Sequence, residues 1–389
     1  MKKILRIINR FNLGGPTYNA AYLTKYLEND YETLLVGGQH DESEESSMHI
    51  LDSLGIVPVI IPEMQRSINP ILDKIALKKI KEIIHEFQPD IVHTHAAKAG
   101  ALGRKAAYDL GVKKIYHTFH GHVFHSYFGK IKTNIFKKIE RDLAKKSTKI
   151  VAISEIQKEE LSKVHRICPK EKIKVIPLGF DLKKFYKKRA SKRTNFRKKW
   201  QIKENEIAIG IIGRLVPIKN HSFFIDVVQK AIASSNKKLR IFIVGDGEDK
   251  ENIIQKVKGY HLDYSTDDTI ATIQFTSWIK EIDEVNAGLD IVCLCSLNEG
   301  TPVSLIEAQA SGNPIVTTIT GGIENIVIEN KTALISKSND QATFLKNLMS
   351  LINSKDKRVK FSKLAIKKSK EFDYSYLINN IKNLYENQL

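Results

Sequence analysis

Cysteine is scarce in this chain: the three residues, Cys168, Cys293 and Cys295, are placed too unevenly for a disulfide framework. Cys293 and Cys295 alternate along an apolar run, which puts both on one face of a strand. A two-cysteine metal site would need two further ligands nearby, and none is in view, so reduced thiols in a cytosolic protein are the reading that follows. Long apolar runs are missing too. No stretch approaches the ~20 apolar residues that span a bilayer. The N-terminal run is broken by Arg6 and again by Asn9-Arg10, so no signal-peptide hydrophobic segment forms and a cytoplasmic location is expected. No G-x-G-x-x-G follows the first strand, which argues against an NAD-dependent oxidoreductase. Low-complexity segments are absent, and so is any aromatic-basic RNA-binding motif.

What is present is length, a core and positive charge. The 389 residues, 42% of them hydrophobic, suit two globular domains. The formal charge is +18. The excess is concentrated between Lys183 and Trp200, where Asp and Glu are lacking, and again from Lys130 to Lys149. Such charge attracts polyanions, or simply solvates a lysine-rich surface. A basic nucleic-acid-binding protein is the rival class, but charge is all that supports it, and nucleic acid is not an expected partner.

Short β-branched runs alternate with amphipathic stretches along the whole chain. Strands are predicted at Ile4–Ile8, Leu34–Val36, Val57–Ile61, Ile91–His95, Ile115–Thr118 and Ile150–Ile153. The second half repeats the style at Ile207–Ile212, Arg240–Val244, Ile273–Phe275, Ile291–Leu294 and Pro314–Thr318. Helices are predicted over Thr17–Leu27, Lys74–Phe87 and Tyr374–Leu389. This α/β alternation predicts two doubly wound parallel sheets, with ligands at the carboxyl ends of the strands. Pro177 and Gly179 punctuate the chain between the halves. The expected division is 1–178 and 179–371, with a C-terminal helix at about 372–389 packing back on the first domain.

The most informative segment runs from Ser296 to Gly312. Thr301 suits a helix N-cap, Pro302 the first helical position and Gly312 the position past the helix end. A loop carrying Glu299 and Gly300 then feeds a helix carrying Glu307. Amides at that helix start can hold phosphate, Glu299 can accept from sugar hydroxyls, and Glu307 can bind a ribose diol. Spacing alone leaves Glu299 readable as a loop charge and Glu307 as a helix-face charge.

The run E-G-T-P-V-S-L-I-E-A-Q-A-S-G-N-P-I-V, with its two glutamates, resembles the signature of retaining glycosyltransferases of family 4. That family has the GT-B fold, two Rossmann-like domains facing across a cleft. The turn Gly213-Arg214-Leu215-Val216-Pro217-Ile218-Lys219-Asn220 matches as well, as do Pro89–His95, Lys98-Ala99-Gly100, Val175–Gly179 and Thr320-Gly321-Gly322. The closest likeness is to bacterial transferases that build capsule or O-antigen. The resemblance implies that Glu299 contacts the donor sugar, Glu307 the ribose, and Arg214 and Lys219 the diphosphate. It implies that Gly14-Gly15 forms a glycine loop facing the donor, with Gly300, Thr301 and Pro302 beside the phosphates. Trp278 stands where the family has a glycine-containing turn; it reads either as a nucleobase stack or as a core aromatic.

Six histidines, His93, His95, His117, His120, His122 and His125, crowd two predicted strand ends. By the same resemblance His120 lies beside the donor sugar, and His122 has no assigned role. A cationic diphosphate clamp makes a metal redundant, so no metal or other cofactor is expected beyond the nucleotide-sugar co-substrate. The implied reaction moves a sugar from a nucleoside diphosphate, UDP by family habit and an N-acetylhexosamine in one version, to an acceptor hydroxyl with retention. Within the same fold, an epimerase or a phosphorylase are the alternatives. Ile131, Ile135, Ile139 and Leu143 recur every four residues among lysines. That pattern suits a helix lying on an anionic membrane, and equally one packed on its own core. The first case goes with a lipid-linked saccharide acceptor at the inner membrane face.

Overall fold

The computed structural model describes residues 1–12, 14–40, 46–65, 67–120 and 130–386. The chain forms two compact units, Met1–Phe180 with Asp373–Leu389, and Asp181–Phe372. The first holds a sheet of β1 (Lys2–Arg10), β2 (Tyr31–Gly38), β3 (Val59–Ile60), β4 (Ile91–His95), β5 (Lys114–Phe119), β6 (Lys149–Ala152) and β7 (Ile173–Val175). Its spatial order is β3-β2-β1-β4-β5-β6-β7, and every pair is parallel.

The second unit holds β8 (Ile207–Ile212), β9 (Leu239–Val244), β10 (Tyr264–Ser265), β11 (Ile273–Ser277), β12 (Ile291–Leu294), β13 (Ile315–Thr318) and β14 (Ala333–Ser336). The order is β10-β11-β9-β8-β12-β13-β14, again all parallel. Every residue of β8, β9 and β12 is buried. A parallel sheet covered on both faces selects such apolar runs, broken in β9 by the buried Arg240. Both Cys293 and Cys295 are buried in this core.

In each sheet the winding reverses beside the first strand, at β1/β4 and at β8/β12. Strand ends diverge there and leave a crevice, which is where doubly wound sheets take ligands.

Local signals set several boundaries. The helix predicted from Lys74 starts at Pro70, because the Asn69 side chain accepts from the amides of Ile71 and Leu72 and Pro70 needs no amide partner. The first helix spans Gly15–Tyr26, two residues earlier than its apolar pattern. Strands β7 and β10, of three and two residues, carry too few residues to show a pattern, and β14 is not among the predicted strands.

The helix Tyr374–Tyr385 is capped by Asp373 and buries Leu377, Ile381, Leu384 and Tyr385 against Ile4, Ile91, Tyr116 and Val151. Each such aliphatic side chain contributes roughly 1.5–3 kcal/mol.

Much of the basic run from Lys183 fastens the second unit internally. Arg193 reaches Asp290 at 2.6 Å and donates to the carbonyls of Ala287, Gly288 and Leu289. Lys192 pairs with Asp283 at 2.5 Å and Arg197 with Asp290 at 3.1 Å. These cations complete a helix end and its flanking acids, which is a structural use of charge that had pointed to a polyanion.

Candidate active site

At the β8/β12 reversal two loops meet. After β8 the chain passes Gly213, whose carbonyl lies so close to Gly245 that a Cβ there would come within 2.0 Å of it. Only glycine permits this crossing, which swings Arg214 outward. A short turn, Pro217–Lys219, then aims Lys219 at the second loop. Lys219 Nζ lies 2.5 Å from Glu299 Oε1, and Ser296 Oγ donates to the same oxygen at 2.6 Å. The backbones are tied by Leu297 N donating to Ile218 O at 2.8 Å. Arg214 is exposed, and among the described residues its guanidinium has no hydrogen-bond or ion-pair partner.

The Glu299 loop is held from its other side by Thr320–Gly322. Thr320 Oγ1 donates to Leu297 O at 2.9 Å. A Cβ at Gly321 would stand 1.7 Å from Glu299 O, and one at Gly322 would stand 2.3 Å from Gly300 O. The glycine pair is thus a press that fixes the Glu299-Gly300 backbone. Space around the Cα of Gly300 is open.

The following helix departs from expectation. It spans Val303–Ala310 with Pro302 as its N-cap, and Thr301 does not cap it. Pro302 is extended (φ −70°, ψ 94°), so the helix begins one residue later, while Leu305 N donates to Pro302 O. The amides of Val303 and Ser304 are then the first without an intrahelical partner. At the far end the expectation holds: Gly312 is left-handed at φ +71°, with Gly312 N to Gln309 O and Asn313 N to Ala308 O closing the helix.

Glu307 sits on this helix with its carboxyl enclosed. Burial pushes it up to about 7, Lys184 opposes the shift and Asp283 adds to it. Among the described residues it makes no hydrogen bond or ion pair with Lys219 or Glu299. Trp278 is 60% exposed, so the core reading is excluded; its ring stands over Gly245, beyond β11. Asp246 is engaged by Ser277, Lys250 and its neighbouring amide.

In the first unit, Gly14 caps the helix Gly15–Tyr26, with Thr17 N donating to Gly14 O and Pro16 in the first turn. The histidines follow strand parity. His93 and His95 on β4 share a face with Tyr116 and Thr118 on β5 and with His120 just beyond it. His95 Nδ1 and His120 Nε2 are 3.0 Å apart, and His93 Nε2 meets Thr118 Oγ1 at 2.8 Å. His117 faces the other way, with Nδ1 2.8 Å from Thr94 Oγ1. Burial pushes His120 down to about 3, and drives His93, His95 and His117 well below the usual imidazole range, so all four rings are neutral near pH 7.

Two members of this cluster had no motif to announce them. Arg6, which broke the N-terminal apolar run, is fully buried in cross-strand register with His93. The Tyr385 hydroxyl lies 2.6 Å from His93 Nδ1. Lys98 is engaged by Asp73 at 2.6 Å. His122 and His125 lie outside the described residues.

The helix Lys130–Lys146 splits its apolar stripe. Leu143 is buried, whereas Ile135 and Ile139 are 54% and 42% exposed beside lysines; the Ile131 side chain lies outside the described part.

Comparison with known proteins covers both units. The profile of glycosyl transferases group 1 matches residues 192–368, and that of glycosyltransferase family 4 matches residues 13–184. A UDP-Gal:alpha-D-GlcNAc-diphosphoundecaprenol alpha-1,3-galactosyltransferase of Escherichia coli is 31% identical over 84% of this chain and 82% of its own. HepE from Anabaena, solved in complex with UDP, superposes with a TM-score of 0.81 at 17% identity over 100% of both chains. A glycosyltransferase from Rickettsia africae superposes with a TM-score of 0.80 at 20% identity, over 99% of this chain and 98% of that one.

Proposed function

The chain belongs to the family 4 glycosyltransferases and has their GT-B fold, and from that premise we propose that it moves a hexose or N-acetylhexosamine from a UDP-sugar to a lipid-linked saccharide, with retained anomeric configuration, in bacterial surface-polysaccharide synthesis. The observation that carries the reading is the meeting of Lys219 and Glu299 at the β8/β12 reversal, with the Arg214 guanidinium unengaged on the loop that follows β8. A cation and a carboxylate held together at the mouth of a doubly wound sheet suit a ligand with a diphosphate at one end and hydroxyls at the other. The E. coli relative, which uses UDP-Gal and a diphosphoundecaprenol-linked acceptor, supports the same donor and acceptor classes.

In this reading Lys219 exchanges Glu299 for the donor diphosphate on binding, and Arg214 supplies a second cation. The released Glu299 accepts from sugar hydroxyls. Glu307 accepts from the ribose diol, and Val303 and Ser304 offer amides to phosphate beside Gly300, Thr301 and Pro302. Gly14, Gly15 and His120 serve the donor phosphates and sugar. The bond from C1 of the sugar to the leaving oxygen breaks, and the acceptor oxygen bonds to C1 on the same face. The acceptor proton passes to the departing phosphate. Arg214 and Lys219 stabilise the charge left there, so no metal is required.

Among the described residues no helix is long and apolar enough to cross a membrane. Ile135 and Ile139, exposed among lysines, suit peripheral contact with anionic lipid at the inner membrane face, where a lipid-linked acceptor resides.

The test is a thermal-shift screen of UDP, GDP and ADP, followed by turnover of their sugars with a diphospholipid-linked saccharide in the presence of chelator. Product anomers are then read by NMR. Stabilisation by UDP alone and an axial product from an axial donor are expected. Epimerised donor without transfer, phosphate-dependent cleavage, or an inverted product would refute the reading.

A further inference from the structure

We propose that His95 is a positioning residue of the transfer reaction: it donates from Nδ1 to His120 Nε2 and so fixes His120 in the tautomer that offers an Nδ1–H to the donor sugar. This rests on the role given to His120 above.

The two nitrogens are 3.0 Å apart, and the rings stack with centroids 5.2 Å apart at 30°. On its other side His95 stacks on His93, with centroids 4.4 Å apart at 28°. His93 is itself held at both nitrogens, by Tyr385 at 2.6 Å and Thr118 at 2.8 Å. His95 is therefore gripped between an immobile ring and the ring it orients. His93 and His95 on β4 and Thr118 on β5 lie on one face, with His120 one residue beyond β5 in the same parity, so the stack of rings follows from strand parity.

The choice of tautomer follows from counting protons. A neutral imidazole carries one N–H. Burial, followed by the neighbouring histidines and Arg6, keeps His95 neutral. Among the described residues neither His95 Nε2 nor His120 Nδ1 has a partner, and both are out of solvent. If His120 donated, His95 would hold its proton on Nε2, and a buried N–H would stay unpaired even with substrate bound. If His95 donates, the single unpaired N–H is on His120 Nδ1, where a sugar oxygen satisfies it. What remains is a bare lone pair on His95 Nε2 in a cluster that already holds the Arg6 guanidinium. Unpaired buried donors are the rarer and costlier defect, and a nearby cation favours the lone pair. Donor binding thus pairs both ring N–H groups only in the second arrangement.

The experiment compares wild type, His95→Leu, His95→Asn and His120→Ala. It measures kcat, KM for the UDP-sugar, equilibrium affinity for UDP, and long-range 1H–15N spectra of histidine-labelled, UDP-bound protein. Expected are a proton on Nδ1 of His120 in wild type and a loss of that preference in His95→Leu. The same variant should lose kcat by roughly 10- to 100-fold with UDP affinity unchanged. In His95→Asn the amide nitrogen stands near the place of Nδ1 and can donate, so turnover should recover to within a few-fold of wild type. A proton on Nε2 of His120 in the UDP-bound wild type overturns the proposal whether or not His95→Leu folds. So does a folded His95→Leu with normal kcat. Normal turnover in His120→Ala would instead remove the role of His120 itself, and the spectra separate that failure from the other.

Discussion

Replacing Glu307 with glutamine should make the ligand-free protein more stable and the donor site weaker, and the balance should depend on pH. Burial pushes the Glu307 carboxyl up to about 7, from an ordinary value of 4.5. Because the folded-state value lies above the unfolded one, the folded protein holds the proton longer. The associated stability is complete below about 4.5 and is lost as pH rises through about 7. At pH 8.5 ionising this group costs the fold roughly 3 kcal/mol, since each tenfold change in proton affinity is worth ~1.36 kcal/mol. Glutamine keeps the shape and never ionises. For a unit the size of Asp181–Phe372, ~1 kcal/mol moves the melting point by about 2–4 °C. The variant should therefore melt roughly 6–12 °C above wild type at pH 8.5, with the gap closing by about pH 5. UDP affinity should fall by roughly 10- to 100-fold, because a charged acceptor for the ribose diol is lost. Thermal melts from pH 5 to pH 8.5, with and without UDP, read both effects. Equal melts at pH 8.5, or a gap that widens towards acid, would refute the reasoning.

Three further perturbations probe the rest of the site. Alanine at Arg214, Lys219 or Glu299 should each lower turnover by roughly 100-fold or more, with UDP affinity falling in the two cation variants; near-normal turnover in all three would sink the site assignment. Trp278→Ala should leave folding stability within about 0.5 kcal/mol, since the ring is exposed. It should also weaken UDP binding by about 10-fold, and unchanged UDP affinity would remove the base-stacking role. In liposome flotation the protein should rise with anionic vesicles and stay down with neutral ones, and serine at Ile135 and Ile139 should reduce the floating fraction. Failure to float with either lipid would remove the membrane surface as a partner.

The sheet strands were legible where apolar residues run unbroken. Ile207–Ile212 and Ile291–Leu294 lie where the pattern places them, because a strand buried on both faces favours apolar residues throughout, and Ile91–His95 lies there too although its His93, Thr94 and His95 are buried polar residues. The edge strand β10 is two residues long and carries no periodicity, and the strand predicted over Val57–Ile61 shortens to Val59–Ile60. The misplaced cap at Thr301 shows a local rule giving way. Residue type allowed the cap there, but the Gly321-Gly322 press and the extended Pro302 set the loop path and moved the helix start. Strand parity could have grouped His93 and His95 with Thr118 and His120. Nothing local could have added Tyr385, 292 residues beyond His93.

By itself the sequence determined the alternation of elements and the places where chemistry-bearing residues leave the strands, since periodicity, glycine and proline act over a few neighbouring residues. The tertiary structure decided which of those residues meet and in what state. Lys219 and Glu299 form an ion pair across 80 positions, burial pushes the Glu307 carboxyl up to about 7, Trp278 stands in solvent, and part of the basic run closes a helix end. Those outcomes depend on distance and on the exclusion of water, and only packing sets either one.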